Sequence, residues 1–218
     1  MVRDSMLERP IARIARILSR RAGIHLARVV VRVPRSVRIE SPGCEVRCEI
    51  VGALPLLAAC ADPALELEER HVRSAFERGD ICIGAYVCDR LVGYQWIAFG
   101  PTPHVAGLWA HIDPADCYFY KLFVHADFRG LRIADALSAE ADRAAIHLGR
   151  NRILGFINVE NTSSWKAIRR RGGWTAGYVG YLGWSRLSIP FRTRGAAQKG
   201  FRFFGSRIPA NAPLPWPS

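Results

Sequence analysis

Residues 129–134 read Arg-Gly-Leu-Arg-Ile-Ala and sit where a strand gives way to a helix. Upstream, Lys121-Leu122-Phe123-Val124 is an apolar strand end. Downstream, Leu131, Ala134, Leu137, Ala141, Ala145 and Leu148 recur at spacings of three and four until Gly149. That is one face of an amphipathic helix with a glycine stop. The first turn of a helix carries N–H groups without partners and the positive end of the dipole. Two arginines beside it make a site for a phosphorylated ligand.

A second group follows one strand later. Residues 153–159 are apolar, and Asn161, Thr162 and Ser163 are N-cap types opening a helix that ends at Gly172 and Gly173. The order strand, basic turn, helix, strand, Asn-x-x-Ser, helix resembles the GNAT superfamily of N-acyltransferases. Their signature, Arg/Gln-x-x-Gly-x-Gly/Ala, falls on Arg129, Gly130, Leu131, Arg132, Ile133 and Ala134, with Arg132 where relatives have glycine. Their Asn-x-x-Ser step falls on Asn161–Ser164.

The resemblance implies that the turn amides hold the pyrophosphate of acetyl-CoA or another acyl-CoA, with Asn161 and Ser164 adding contacts. It also implies that a backbone N–H near Phe123 and Val124 points at the acyl carbonyl, and it calls for no metal. Arg132 either obstructs the close approach that glycine allows or adds a forked contact to phosphate. A tyrosine acid that many relatives carry seven residues after the Asn is Ile168 here, which donates no proton. The glutamate base that some relatives place on the strand before the turn is Tyr118, with Asp116 two residues earlier. Tyr118 and Asp116, with Glu160 in reserve, are the candidates for proton transfer. An alkylammonium titrates near pKa 10.4, so removing its proton is the harder step. His104, His111 and His125 read as loop surface, and Arg169–Arg171 as cations at a helix C-terminus.

The net charge of +12 is unevenly spread. Residues 1–40 carry +7, residues 41–160 carry −5, and residues 161–218 carry +10 with no acid. An acidic middle suits a small-molecule or peptidyl amine. Basic ends suit an acyl carrier protein or an anionic membrane surface. No reading helix or stacking platform for nucleic acid is evident. Six cysteines without zinc spacing read as reduced thiols. With no long apolar run or leader pattern, the expected place is the cytoplasm, or the inner face of the membrane.

The elements that position these residues follow from periodicity. Residues 10–26 pattern as a basic amphipathic helix and 29–33 as a strand. Residues 44–51 form a first sheet strand, followed by helical pieces around Leu56 and Leu57 and over 65–78. Residues 81–88 and 91–99 form a β-hairpin around Asp89-Arg90, 100–114 a Pro- and Gly-rich loop, and 117–124 the strand feeding the turn. Residues 174–182 and 184–189 pattern as a hairpin through Gly183. The expected class is α/β (α+β): a GNAT fold with a central, mixed, mostly antiparallel sheet flanked by helices. Residues 41–190 would be the acyltransferase domain, 1–40 a basic N-terminal extension and 191–218 a basic C-terminal extension on the surface. The expected activity is acyl transfer from acyl-CoA to a primary amine. The alternatives are fatty acyl transfer from a carrier protein at the membrane, and a non-catalytic binding module. A dimer is compatible with all three.

Overall fold

A computed structural model describes residues 24–37, 45–105, 107–183 and 189–205. The proposed helix over 10–26 falls largely outside them, as do Cys44, most of 184–189 and the chain beyond 205. Ile24 to Leu26, the end of that proposed helix, are instead part of a strand. The chain divides into two compact units.

One unit contains the turn at 129–134. Its strands are β2 (Arg47–Val51), β3 (Ile81–Val87), β4 (Arg90–Ala98) and β7 (Cys117–Val124), in the order β7-β4-β3-β2. The three pairings are antiparallel. Helices α1 (Ala53–Ala59) and α2 (Glu69–Glu77) cover one face, and α3 (Ile133–His147) covers the other. Helix α3 is rich in alanine, which favours the helix and lets it approach the sheet closely. Its Ile133, Leu137, Ala141, Ala144 and Ala145 pack on Ile83, Ala85, Val92, Ile97 and Ile153. Full burial of each large aliphatic side chain contributes about 1.5–3 kcal/mol. Gly149 at φ +68 ends the helix, and Arg150 N–H reaches back to Ala145 O. On the opposite face Tyr94 and Trp96 pack with Leu56, Leu65, Val72 and Ala75.

The β3–β4 turn is one residue earlier than the sequence suggests. Cys88 and Asp89 are its central residues, at φ 46 and 59, as a type I′ hairpin requires. A bulge between Ala85 and Tyr86 absorbs the offset.

The other unit has strands β1 (Ile24–Arg32), β8 (Ile153–Asn158), β9 (Trp174–Leu182) and β10 (Ile189–Arg192), in the order β10-β9-β1-β8. A second sheet joins β5 (Thr102–Val105), β6 (Leu108–His111) and β11 (Arg202–Gly205), in the order β11-β6-β5. Helices α4 (Thr162–Arg170) and α5 (Arg194–Gln198) complete it.

Three expectations are corrected in this unit. The loop over 100–114 contains the β5–β6 hairpin, which Pro101, Pro103 and Gly107 disguise in sequence. Within 1–40, the β1 segment is a core strand: it pairs with β9 from Ile24–Leu182 onward, and Val29 and Val31 are fully buried. The described part of 191–218 is not a surface appendage. Phe201 and Ala196 are fully buried, and β11 is paired. Its mixed Phe and Arg pattern is that of a strand pair with one apolar side.

Candidate active site

Strand β7 carries the local geometry. Tyr94 pairs with Phe123 and Trp96 with Tyr120, so Gln95 alone stands opposite Lys121 and Leu122. The extra residue is a bulge, and Lys121 takes the left-handed conformation at φ 48. Gly93 lies opposite Val124. A Cβ there would stand 2.8 Å from Phe123 O and 3.2 Å from Leu137 Cδ1. Glycine is therefore what lets β4 approach the end of β7.

The strand then turns through a 3₁₀ segment, Ala126–Phe128. His125 is buried, not a surface loop residue: its N–H bonds Val92 O at 2.8 Å. Its Nδ1 lies 3.3 Å from the Asp127 N–H and its Nε2 3.3 Å from the Arg90 guanidinium. A neutral ring accepts through only one nitrogen, so one of these contacts is the real hydrogen bond. Arg129 Nε donates to Val124 O at 3.2 Å, tying the turn to the strand end.

Gly130 has φ +87, and a Cβ there would meet nothing within 4 Å. Arg132 has φ +58 and is the N-cap of α3, without a side-chain cap bond. The turn requires a left-handed residue at this position, a conformation that favours glycine, and here arginine supplies it. Bonds closing the turn run from Phe128 N to His125 O, Arg129 N to Ala126 O, and Asp135 N and Ala136 N to Arg132 O. The amides of Gly130, Leu131, Arg132, Ile133 and Ala134 have no acceptor among the described residues. Consecutive open amides, the dipole of a 15-residue helix and two guanidinium groups fit a pyrophosphate.

The proton-transfer candidates are less open. Asp116 is buried and outside β7, and Arg152 clamps it with Nε–Oδ1 at 2.8 Å and Nη2–Oδ2 at 2.6 Å. That forked pair makes Asp116 a structural anion, and the geometry speaks against a free base. Tyr118 is buried and stacked on Tyr120 with centroids 5.4 Å apart, and burial pushes its phenol well above the usual range. It is a poor base for the same reason.

Glu160, Asn161 and Ser164 belong to the other unit. Asn161 Oδ1 accepts from Ser164 N–H at 3.1 Å and from Ser163 Oγ at 2.9 Å, as an N-cap should. Ile168 packs beside Trp165, Val30 and Ile157. His104, also expected at the surface, stacks on Phe203 at 4.8 Å and meets Phe156 edge-on at 4.7 Å. Burial lowers its pKa to about 4, and His25 adds to the shift.

Sequence reasoning missed a cluster on the α1/α2 face of β4 and β7. His71 of α2 meets Trp96 and Tyr120 edge-on, with centroids 5.4 and 5.9 Å away. Tyr120 Oη donates to Asp80 Oδ2 at 2.7 Å, and Arg78 Nη2 donates to the same oxygen at 2.7 Å. His71 Nε2 and Trp96 Nε1 are buried without a hydrogen-bond partner among the described residues. Burial, then Lys121 and Arg78, lowers the His71 pKa to about 4. Burial also lifts the Asp80 carboxyl, although Arg78 and Tyr120 oppose it. The signal present in sequence was the helical spacing of His71, Ser74 and Arg78, which puts them on one flank of α2.

The sequence model of the Acetyltransferase (GNAT) family matches residues 53–173. Among solved structures, a GCN5-related N-acetyltransferase from Kribbella flavida is similar, with a TM-score of 0.52 and 12% identity over 80% of this chain and 65% of that one. One from Sphaerobacter thermophilus has a TM-score of 0.50 and 15% identity over 75% of this chain and 53% of that one. A conserved protein of unknown function from Staphylococcus epidermidis has a TM-score of 0.50 and 12% identity over 87% and 64%. The chain thus spans between half and two thirds of the length of these structures, and likeness at such identity concerns the fold. No curated protein gives a significant sequence match. No helix among the described residues is long and apolar enough to cross a membrane.

Proposed function

The chain belongs to the GNAT acetyltransferase family, and from that premise we propose that it moves an acyl group from acyl-CoA to a primary amine by direct transfer. The observation that carries this reading is the run of open amides from Gly130 to Ala134 at the head of α3, beside Arg129 and Arg132. These groups would bind the donor's phosphates. The end of β7, held close to β4 at Gly93, would align the thioester. The thioester is already activated, so alignment and carbonyl polarisation supply most of the catalysis.

Calorimetry with acetyl-CoA tests the donor site. Arg129→Ala combined with Gly130→Pro removes one guanidinium and imposes a φ near −65° where the turn needs +87°. The dissociation constant should rise at least about tenfold, or 1.4 kcal/mol. Unchanged affinity in a folded double variant would refute the assignment. Amine-dependent thiol release from acetyl-CoA by the unaltered protein tests the transfer itself.

A further inference from the structure

Resting on the donor site described above, we propose that His125 is a positioning residue for acyl-CoA: its buried ring caps the segment that leads into the open amides. Both ends of that segment are anchored independently. Upstream, the end of β7 pairs with β4 through Val124 and Gly93. Downstream, Ile133 and Leu137 seat α3 in the core. Between them lie residues 125–132, and Gly130 and Arg132 among these take positive φ. Phe128 and Leu131 are half-buried against the α3 core, Ala126, Asp127, Arg129, Gly130 and Arg132 are exposed, and only His125 is buried. A segment with so little apolar contact depends on its hydrogen bonds for order.

Three of those bonds pass through His125. Its N–H donates to Val92 O of β4 at 2.8 Å, and its own O accepts from Phe128 N–H at 3.0 Å. Any residue but proline could make these two. The third needs this side chain: Nδ1 accepts from the Asp127 N–H at 3.3 Å, as the cap of the 3₁₀ segment. The ring also meets Phe128 edge-on with centroids 5.8 Å apart, so the same side chain packs against the segment's aromatic anchor.

The competing contacts leave Nδ1 as the acceptor. Nε2 lies 3.3 Å from the Arg90 guanidinium, but that side chain is half exposed and has the Asp62 carboxylate at 3.5 Å. The Asp127 N–H has no acceptor besides Nδ1 among the described residues. The Asp127 carboxylate stands 3.7 Å from Nδ1, beyond hydrogen-bond reach, and is largely exposed. The ring therefore serves the backbone, and Arg90 is its neighbour rather than its partner.

The consequence for binding is one of population. Several amides hold a pyrophosphate together only while the turn is closed. Without the cap the free chain spends time in open forms, and the dissociation constant rises by the inverse of the closed fraction. Loss of one cap shifts such an equilibrium by up to about fivefold.

Calorimetry with acetyl-CoA on the full chain and three variants tests this. His125→Leu keeps an apolar side chain in the buried site and removes the acceptor; its dissociation constant should rise about three- to fivefold. His125→Asn gives up the ring and keeps an acceptor for the N–H two residues on, and it should bind within about twofold of the unaltered chain. Arg90→Leu should do the same. Hydrogen exchange in the free proteins should quicken over 126–134 in His125→Leu alone, with 137–145 unchanged. Unaltered affinity in His125→Leu overturns the proposal, as does an asparagine variant as weak as the leucine one. If leucine prevents folding, weakened binding in Arg90→Leu or His125→Asn overturns it, and retained binding in both upholds it. Failure of the unaltered chain to bind acetyl-CoA defeats the donor reading itself and this role with it; failure in the variants' pattern alone leaves that reading standing.

Discussion

Arg132→Gly should make the protein more stable and a poorer binder of its donor. Arg132 sits at φ +58, a region that costs a non-glycine residue about 1–2 kcal/mol. Glycine removes that cost but gives back about 0.5–1 kcal/mol through a freer unfolded chain. The lost contact to Asp135 is long at 3.4 Å, with Arg132 half exposed, and contributes only a few tenths of a kcal/mol. The net is a gain of about 0.5 kcal/mol, or roughly 1–2 °C in melting temperature for a chain of this size. Arg132→Ala keeps the Cβ and the strain, so it should show no such gain. Both variants lose a guanidinium beside the open amides. A charge-assisted hydrogen bond contributes about 1.5 kcal/mol or more, so acetyl-CoA affinity should fall about tenfold in each. Differential scanning calorimetry and titration calorimetry on the three proteins give both quantities. If glycine is less stable than alanine here, strain at the N-cap is not the governing term. If affinity is unchanged in both variants, the guanidinium faces solvent and the amides act alone.

Gly93→Ala should be destabilising by about 1–3 kcal/mol, because its methyl meets the carbonyl of Phe123 and the end of Leu137; it should also slow turnover, and urea melts with steady-state kinetics check both. Asp116→Asn should cost about 2–3 kcal/mol, a little less than breaking a fully buried ion pair, because Arg152 is one third exposed. Asp116→Leu with Arg152→Met should recover most of that stability, and a turnover near the original in the double variant would remove Asp116 from the chemistry. His71 and His104 each titrate near 4 in the folded chain against 6.5 in the reference state. The unfolded chain therefore binds more protons between these values, so stability is full above pH 6.5 and falls as pH drops toward 4. The loss approaches at most about 3 kcal/mol per histidine, and urea titrations from pH 7.5 to 4.5 should show a shallower fall in His104→Phe.

The parts of the fold set by local pattern were legible in the sequence. Helix α3 reads directly from its three-and-four spacing and its glycine stop, and the turn at 129–132 from its place between a strand and that helix. The Asn161 cap is where its residue type places it. What was missed depends on distant pairing. Thr102-Pro103-His104 reads as loop until β6 is known to pair with it and β11 with the far edge of β6. Asp116 reads as a free acid until Arg152, 36 residues away, closes on it. His71 was passed over because its neighbours come from β4 and β7, and no spacing along one helix announces them. The left-handed backbone at Arg132 was half visible: the substitution for glycine could be read, but not that the turn keeps glycine's conformation.

Strand β1 sets a timetable for biosynthesis. Leu182, the partner of Ile24, leaves the ribosome 158 positions after it. At about 5–20 residues per second, the nascent strand waits roughly 8–30 seconds for its neighbour. During that interval the run Val29-Val30-Val31 has no sheet to enter and is a target for holding chaperones and for wrong strand partners. The unit containing β2, β3, β4, β7 and α3 is drawn from residues 34–153 and can assemble first. The other unit closes only after β9 has emerged to pair with β1.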